Sequence, residues 1–256
     1  MAWFSVVIIT KNEEKNIERC LQSVEGLTDD IIIVDSFSTD RTKEICLKYK
    51  ARFFEMTFLG FGPTKNWGND QAKYDYILSL DADEALSDPL RESLIALTDK
   101  NKDVAYRFNR KTNFCGGWIN HSGWYPDTKL RLWKKGAYKW NEELVHESLI
   151  ASTSAKPIFL KGDLLHYSFY TIEQHIGQIN KFSSLKARSD FQKGKKVNLL
   201  KLLFAPPVKF FKTYFLKLGF LDGWRGYVIS RNSAFSTYLK YAKLKQLHQN
   251  QSSDET

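Results

Sequence analysis

The sequence predicts an α/β protein whose largely parallel sheet is flanked by helices. Three observations predict it. Apolar runs at residues 3–9, 31–34 and 76–80 are short and rich in Ile, Val and Leu, as buried strands are. Polar stretches with helical spacing of their apolar residues separate them, the pattern of βαβ units. Each run also gives way to a polar residue: Thr10, Asp35 or Asp81. Right-handed crossovers bring the carboxyl ends of such strands to one rim, where ligands of open α/β sheets bind.

The elements follow in order. The first run is too short for the apolar region of a signal peptide. Lys11-Asn12-Glu13-Glu14 comes next, with Asn12 as an N-cap for a helix that presents Ile17, Cys20, Leu21 and Val24. The second strand ends at Asp35 and opens into the polar loop Ser36-Phe37-Ser38-Thr39-Asp40, after which another helix is expected. A third short strand is expected around Arg52 to Met56, and Gly60-Phe61-Gly62-Pro63 reads as a flexible stretch before Lys65. The 76–80 run leads into Asp81-Ala82-Asp83. Residues i and i+2 of an extended segment face one side, so both carboxylates could converge on one hard divalent cation such as Mg²⁺ or Mn²⁺. A solvated turn is the plainer alternative.

Further along, Phe114 to Trp118 and His121 to Asp127 mix glycines, aromatics and polar groups. Trp118, Trp124 and Tyr125 offer flat faces with polar handles that suit a sugar, and core packing is the competing reading. Arg131 lies in Lys129-Leu130-Arg131-Leu132-Trp133, which alternates like a strand. Its guanidinium could grip an acceptor phosphate or carboxylate or simply line a strand face.

Ser5 to Glu14, Ile33-Val34-Asp35-Ser36 and Leu78 to Glu84 resemble family 2 glycosyltransferases. Phe108 to Glu147, His166-Tyr167-Ser168 and Gly219-Phe220-Leu221-Asp222-Gly223 are similar to the branch holding lipopolysaccharide-core β-1,4-glucosyltransferases. The resemblance covers nearly the whole chain. It implies the A-type glycosyltransferase fold, a Rossmann-like sheet that binds a nucleotide-sugar. It further implies that Thr10 and Glu13 flank the nucleoside and that Asp35 reads the uracil ring; Lys65, after its flexible stretch, could meet nucleotide or phosphate or be an exposed helix-start lysine. Asp81 and Asp83 would hold the metal, His166 would complete its shell, and Glu147 would be the base. Glu142 and Glu143 are alternative bases, because many family members carry Glu-Asp at this place. The implied domains are a catalytic segment over 1–170, a helical segment over 171–247 and a polar tail over 248–256.

Composition fits an enzyme that visits a surface. The 256 residues suffice for one large α/β core with an appended segment. Cys20, Cys46 and Cys115 are odd in number and widely spaced, as reduced cytosolic thiols are. No apolar run approaches the ~20 residues that span a bilayer. The net charge is +9, and no acidic residue falls between Asp190 and Asp222. There, seven lysines interleave with Phe204, Phe210, Phe211, Tyr214, Phe215 and Phe220. A helix starting at Pro207 would carry Val208, Phe211, Phe215 and Leu218 on one face. Basic amphipathic helices of this kind lie on anionic membranes, although ordinary packed helices are amphipathic too.

The expected activity is inverting, metal-dependent transfer of a hexose, glucose foremost, from a UDP-sugar to a lipopolysaccharide-core or lipid-linked saccharide. The expected place is the inner face of the cytoplasmic membrane, with the protein bound peripherally and no nucleic acid as partner. Two alternatives are a sugar-nucleotide pyrophosphorylase, which would need a glycine-rich phosphate loop after the first strand, and a basic nucleic-acid-binding protein.

Overall fold

The computed structural model describes residues 3–97, 105–142, 148–154 and 156–254. The chain divides into two compact units, Met1–Lys111 with Asp127–Tyr167, and Thr112–Pro126 with Ser168–Thr256. Segment 112–126, expected within the catalytic part, instead belongs to the second unit, because its backbone is fastened to residues 169 and 217.

In the first unit, β1 (Phe4–Thr10), α1 (Ile17–Val24), β2 (Ile31–Asp35), α2 (Thr42–Lys48), β3 (Arg52–Glu55) and α3 (Phe61–Asp70) follow in sequence. Then come β4 (Tyr76–Asp81), β5 (Glu84–Leu86), α4 (Asp88–Ile95) and β6 (Tyr106–Phe114). After β7 (Gly117–Trp118), which is in the second unit, the chain adds β8 (Asp127–Lys134), β9 (Tyr138–Trp140), β10 (Leu149–Ala151) and β11 (Ile158–Phe169). The sheet order is β3-β2-β1-β4-β8-β6-β11-β5, with β9 and β10 forming a separate antiparallel pair. Strands β3, β2, β1 and β4 are parallel. Beyond β4 the described pairings are antiparallel, which β8 begins by lying against residues 76–78. The fold is therefore α/β with a mixed sheet whose parallel half is the half legible in sequence.

The period-2 alternation of β1 explains the layering. Val6 and Ile8 join Ile17, Cys20, Leu21, Leu90 and Leu94 on one face. Val7 and Ile9 join Ile32, Val34, Ile77 and Trp67 on the other. Helix α3 lies so close to that second face that a Cβ on Gly68 would stand 2.7 Å from Val7 and 2.8 Å from Val34. Gly60-Phe61-Gly62-Pro63 is no flexible loop: α3 begins at Phe61, and Pro63 falls in its first turn, where a missing N–H costs nothing. Asn12 is likewise no N-cap. Its φ of 54° turns the chain out of β1, and α1 begins only at Ile17.

The second unit holds β7, α5 (Ile172–Gln192), α6 (Leu199–Phe211), a π-helical turn (Lys212–Leu216), a 3₁₀ turn (Gly219–Asp222) and α7 (Gly223–Asp254). Helix α5 opens with a capping box, Thr171 and Gln174 each bonding the other's backbone. Helix α7 packs on both α5 and α6. It continues through His248, so the expected polar tail is helical as far as Asp254. Helix α6 begins eight residues before Pro207, where the Asn198 side chain accepts the Lys201 N–H at 2.8 Å. No helix among the described residues is long and apolar enough to cross a membrane.

Candidate active site

Three strand ends build the rim. Thr10 on β1 is in register with Asp35 on β2, and Ile9 with Asp81 on β4. The rim sits where the strand order runs 2-1-4, a switch point of the parallel half.

Thr10 and Asp35 are both buried. The Thr10 hydroxyl finds no hydrogen-bond partner among the described residues. The Asp35 carboxylate accepts the Ser38 N–H at 2.7 Å and the Ser38 hydroxyl at 2.5 Å. Asn12 ties the exit of β1 to the same loop: its backbone N–H donates to Ser38 Oγ at 2.7 Å and its side-chain Oδ1 accepts the Thr39 N–H at 2.8 Å. Glu13 follows, accepting from Asn16 Nδ2 at 2.7 Å. Burial raises its carboxyl above the usual value against that hydrogen bond, and the charges of Asp83, Asp40 and Asp81 raise it further.

The two aspartates of Asp81-Ala82-Asp83 have separate surroundings. Strand β4 ends at Asp81 and the chain turns through residues 82 and 83, so the same-side rule for extended residues does not reach Asp83. Asp81 Oδ1 is 2.8 Å from Lys65 Nζ, and Oδ2 is 2.9 Å from Arg131 Nη2. Burial alone would raise this carboxyl, but Lys65 and Arg131 outweigh it and hold it far below the usual carboxylate range. Beneath lies Glu84, buried, accepting Arg131 Nη2 at 2.7 Å and the Asp81 N–H at 3.0 Å. Arg110 Nη1 stands 3.6 Å from the same Glu84 carboxylate.

Asp83 meets His166 instead. His166 Nε2 is 3.2 Å from Asp83 Oδ2, and the Tyr167 N–H donates to the Asp83 carbonyl at 2.9 Å. His166 arrives there because β11 pairs antiparallel with β5, placing it opposite Glu84. Among the described residues no three His, Cys, Asp or Glu side chains gather tightly enough to hold an ion by themselves. Asp83 and His166 fit a Mg²⁺ or Mn²⁺ ion as a two-donor set, the rest of the shell coming from phosphate oxygens and water. Asp81, with each oxygen already on a buried cation, does not fit as a third ligand.

Lys65 and Arg131 correct the sequence reading in the same way. Lys65 is no exposed helix-start lysine: it is 1% exposed, with its ammonium 2.8 Å from Asp81 and 4.5 Å from the centre of the Trp140 ring. Arg131, expected to face an acceptor, is 3% exposed under Asp81 and Glu84. The role of Glu84, the third acid of the quoted motif, was missed. Its place after an Asp-x-Asp turn was the available signal. Glu147, with Glu143 and His146, lies outside the described residues.

Within the second unit, Trp124 packs into a cluster with Phe114, Phe169 and His175 at ring distances of 5.8, 5.9 and 5.5 Å. Trp118 on β7 and Tyr125 before Pro126 are half-buried. Asp222 organises this segment, accepting Asn120 N–H at 3.0 Å, His121 N–H at 3.1 Å and the Ser122 hydroxyl at 2.8 Å. Arg225 donates to the Phe114 and Cys115 carbonyls. The quoted Gly219-to-Gly223 motif thus anchors the loop that carries the acceptor candidates.

With this geometry in view, the family model for glycosyl transferase family 2 matches residues 5–153. The chain belongs to glycosyl transferase family 2. An uncharacterized glycosyltransferase of Rickettsia typhi is 30% identical over 96% of this chain and 88% of its own length. The lipopolysaccharide core biosynthesis glycosyltransferase LpsC of Rhizobium meliloti is 30% identical over 95% of this chain and 92% of its own. The crystal structure of Staphylococcus aureus TarS 1-349 in complex with UDP-GlcNAc aligns with a TM-score of 0.47 at 13% identity, covering 97% of this chain and 92% of that one. The chain is a glycosyltransferase, and the pyrophosphorylase alternative falls.

Proposed function

We propose that this glycosyltransferase moves a hexose, glucose foremost, from a UDP-sugar to a lipopolysaccharide-core or lipid-linked saccharide, with inversion at the anomeric carbon. The observation that carries the reading is the rim itself: Thr10, Asp35 and Asp81 on adjacent parallel strands, with the Asp83–His166 pair one turn away. The likeness to LpsC supports the acceptor class.

In this reading Thr10, Glu13 and Asp35 receive the nucleoside, with the Asp35 carboxylate accepting the uracil N–H. Asp83 and His166 hold Mg²⁺ or Mn²⁺, which when bound offsets the charge of the departing diphosphate. Lys65, Arg131 and Glu84 hold Asp81, and the end of β4 with it, in one geometry. Glu147 takes the proton of the acceptor hydroxyl. The hydroxyl oxygen bonds to the anomeric carbon as the bond to UDP breaks, and UDP leaves with the electron pair. Trp118, Trp124 and Tyr125 are the acceptor-side candidates, all three partly exposed, with Trp124 also packed on Phe114, Phe169 and His175. The site of action is the inner face of the cytoplasmic membrane, with the protein bound peripherally through its basic segment.

A screen of nucleotide-sugars by thermal shift and by donor hydrolysis, with and without Mg²⁺ or Mn²⁺, tests this. UDP-glucose should shift the melting temperature only with metal. Equal shifts in excess chelator, or a response confined to non-uridine donors, would overturn the donor and metal assignments.

A further inference from the structure

We propose that the outward face of α6 seats in an anionic lipid surface, so that this helix is the membrane contact. Positions 199, 203, 207 and 211 form one i, i+4 row, and 200, 204 and 208 form the row beside it. The side chains are large, apolar and turned out: Leu199 58%, Leu200 65%, Leu203 56%, Phe204 59%, Val208 63% and Phe211 54% exposed. No residue of α6 is buried. The helix packs on α7, with Phe210 edge-on to Tyr227 at 5.9 Å. Isolated exposed apolar residues need no explanation, but a contiguous double row along the whole helix does.

Charge identifies the occupant. Lys209, Lys212 and Lys217 make no ion pair with any described residue, and no acid falls between Asp190 and Asp222. Lys201 lies on the helix margin with its ammonium 5.4 Å from the Tyr241 ring centre. A second copy of the chain would bring lysines against lysines across a two-fold interface. An anionic bilayer supplies both an apolar layer for the two rows and negative headgroups for the rim, as basic interfacial helices require.

The inference rests on the reading of a lipid-linked acceptor for its purpose but not for its test. The full chain is mixed with vesicles of phosphatidylglycerol and phosphatidylethanolamine, or of phosphatidylcholine alone, and binding is followed by flotation. Wild type should bind the anionic vesicles and release them as salt rises. Phe204→Glu with Val208→Glu should weaken binding by about a hundredfold or more, and Glu at Lys209, Lys212 and Lys217 together by at least about a hundredfold. Ile95→Glu, an exposed apolar site on α4, should bind as wild type does. Hydrogen exchange of the wild type with vesicles should slow within 199–211, a readout that needs no variant. Unchanged vesicle binding in both the apolar-face and the lysine variants, or a wild-type dimer that Phe204→Glu dissolves, would overturn the proposal. Vesicle binding without any sugar transfer would leave it standing and sink the transferase details instead; transfer to a lipid-linked acceptor with no vesicle binding would do the reverse.

Discussion

Asp81→Asn and Asp83→Asn should fail in opposite ways. Asp81 neutralises two buried cations, since the Lys65 and Arg131 side chains are 1% and 4% exposed and the Asp81 side chain only 24%. Removing one partner of a buried pair leaves uncompensated charge and typically costs about 3–5 kcal/mol. The partial exposure of Asp81 and the second partner that Arg131 keeps in Glu84 favour the lower end, about 3 kcal/mol. At roughly 2–4 °C per kcal/mol for a unit of this size, the melting temperature should fall by about 6–12 °C. Asp83 has one ionic partner, His166, which is charged only when protonated, so Asp83→Asn strands no permanent buried cation and should cost less than Asp81→Asn, about 1 kcal/mol.

Ligand response separates the pair again. A ligand at a hundred times its Kd adds about 2.7 kcal/mol to wild-type stability. Asp83→Asn should lose the metal-dependent part of the UDP response, and sugar transfer with it, on a fold that melts almost normally. Asp81→Asn should melt early yet keep a metal-dependent shift. The assay is thermal unfolding with UDP and Mn²⁺, each variant against wild type, with excess chelator as the baseline. If Asp81→Asn melts like wild type and loses the metal response while Asp83→Asn keeps it, the assignment of the two carboxylates is reversed.

Three further outcomes follow from named groups. Glu147→Gln should keep donor binding and lose transfer by roughly 10²–10⁴, while Glu142→Gln and Glu143→Gln lose much less; a normal Glu147→Gln with a dead neighbour would move the base upstream. Asp222→Ala should lower the melting temperature and speed amide exchange at residues 120–122, which lose their acceptor, without changing the UDP response; unchanged exchange would refute the anchoring role. Burial pulls His175 from 6.5 down to about 4, so it stays neutral in the folded state while the unfolded chain takes up a proton below 6.5. Stability should then be full above pH 6.5 and fall as pH drops toward 4, by up to roughly 3 kcal/mol, and His175→Phe should flatten that slope; an unchanged slope in urea titrations across this range would assign it to other groups.

The parallel half of the fold was legible because its strands are continuous apolar runs that end on polar residues. The same signal located Thr10, Asp35 and Asp81 at one rim. What could not be read were pairings made across long sequence separations. Lys65 and Arg131 look like surface cations in sequence, and only α3 lying on β1 and β2, with β8 beside β4, brings them to one carboxylate. The packing of Trp124 was illegible for a similar reason, since Phe114 and Phe169 reach it from strands 10 and 45 residues away. Pro207 misled because proline favours helix starts, although Asn198 was the stronger cap and the two leucine-led rows already began at residue 199.

The charge balance of the rim argues for which groups meet a ligand. Lys65, Arg131 and Arg110 face Asp81, Glu84 and Asp127, and Arg110 Nη2 donates to Asp127 at 2.8 Å. Lys129 Nζ adds a further cation 2.9 Å from Asp127 Oδ1, so four cations meet three carboxylates and no carboxylate of this network is left unpaired for a divalent ion. Asp83 stands apart from it. Its partner is a histidine, which carries a positive charge only when protonated, where Asp81 has a lysine and an arginine. Glu13 is pushed up by burial and by the neighbouring carboxylates, which marks the space between them as short of cations. A metal–diphosphate complex brings the cation that this side of the turn lacks and the closed side does not. The split of the Asp-x-Asp pair therefore gives one aspartate to the scaffold and leaves the other for the donor.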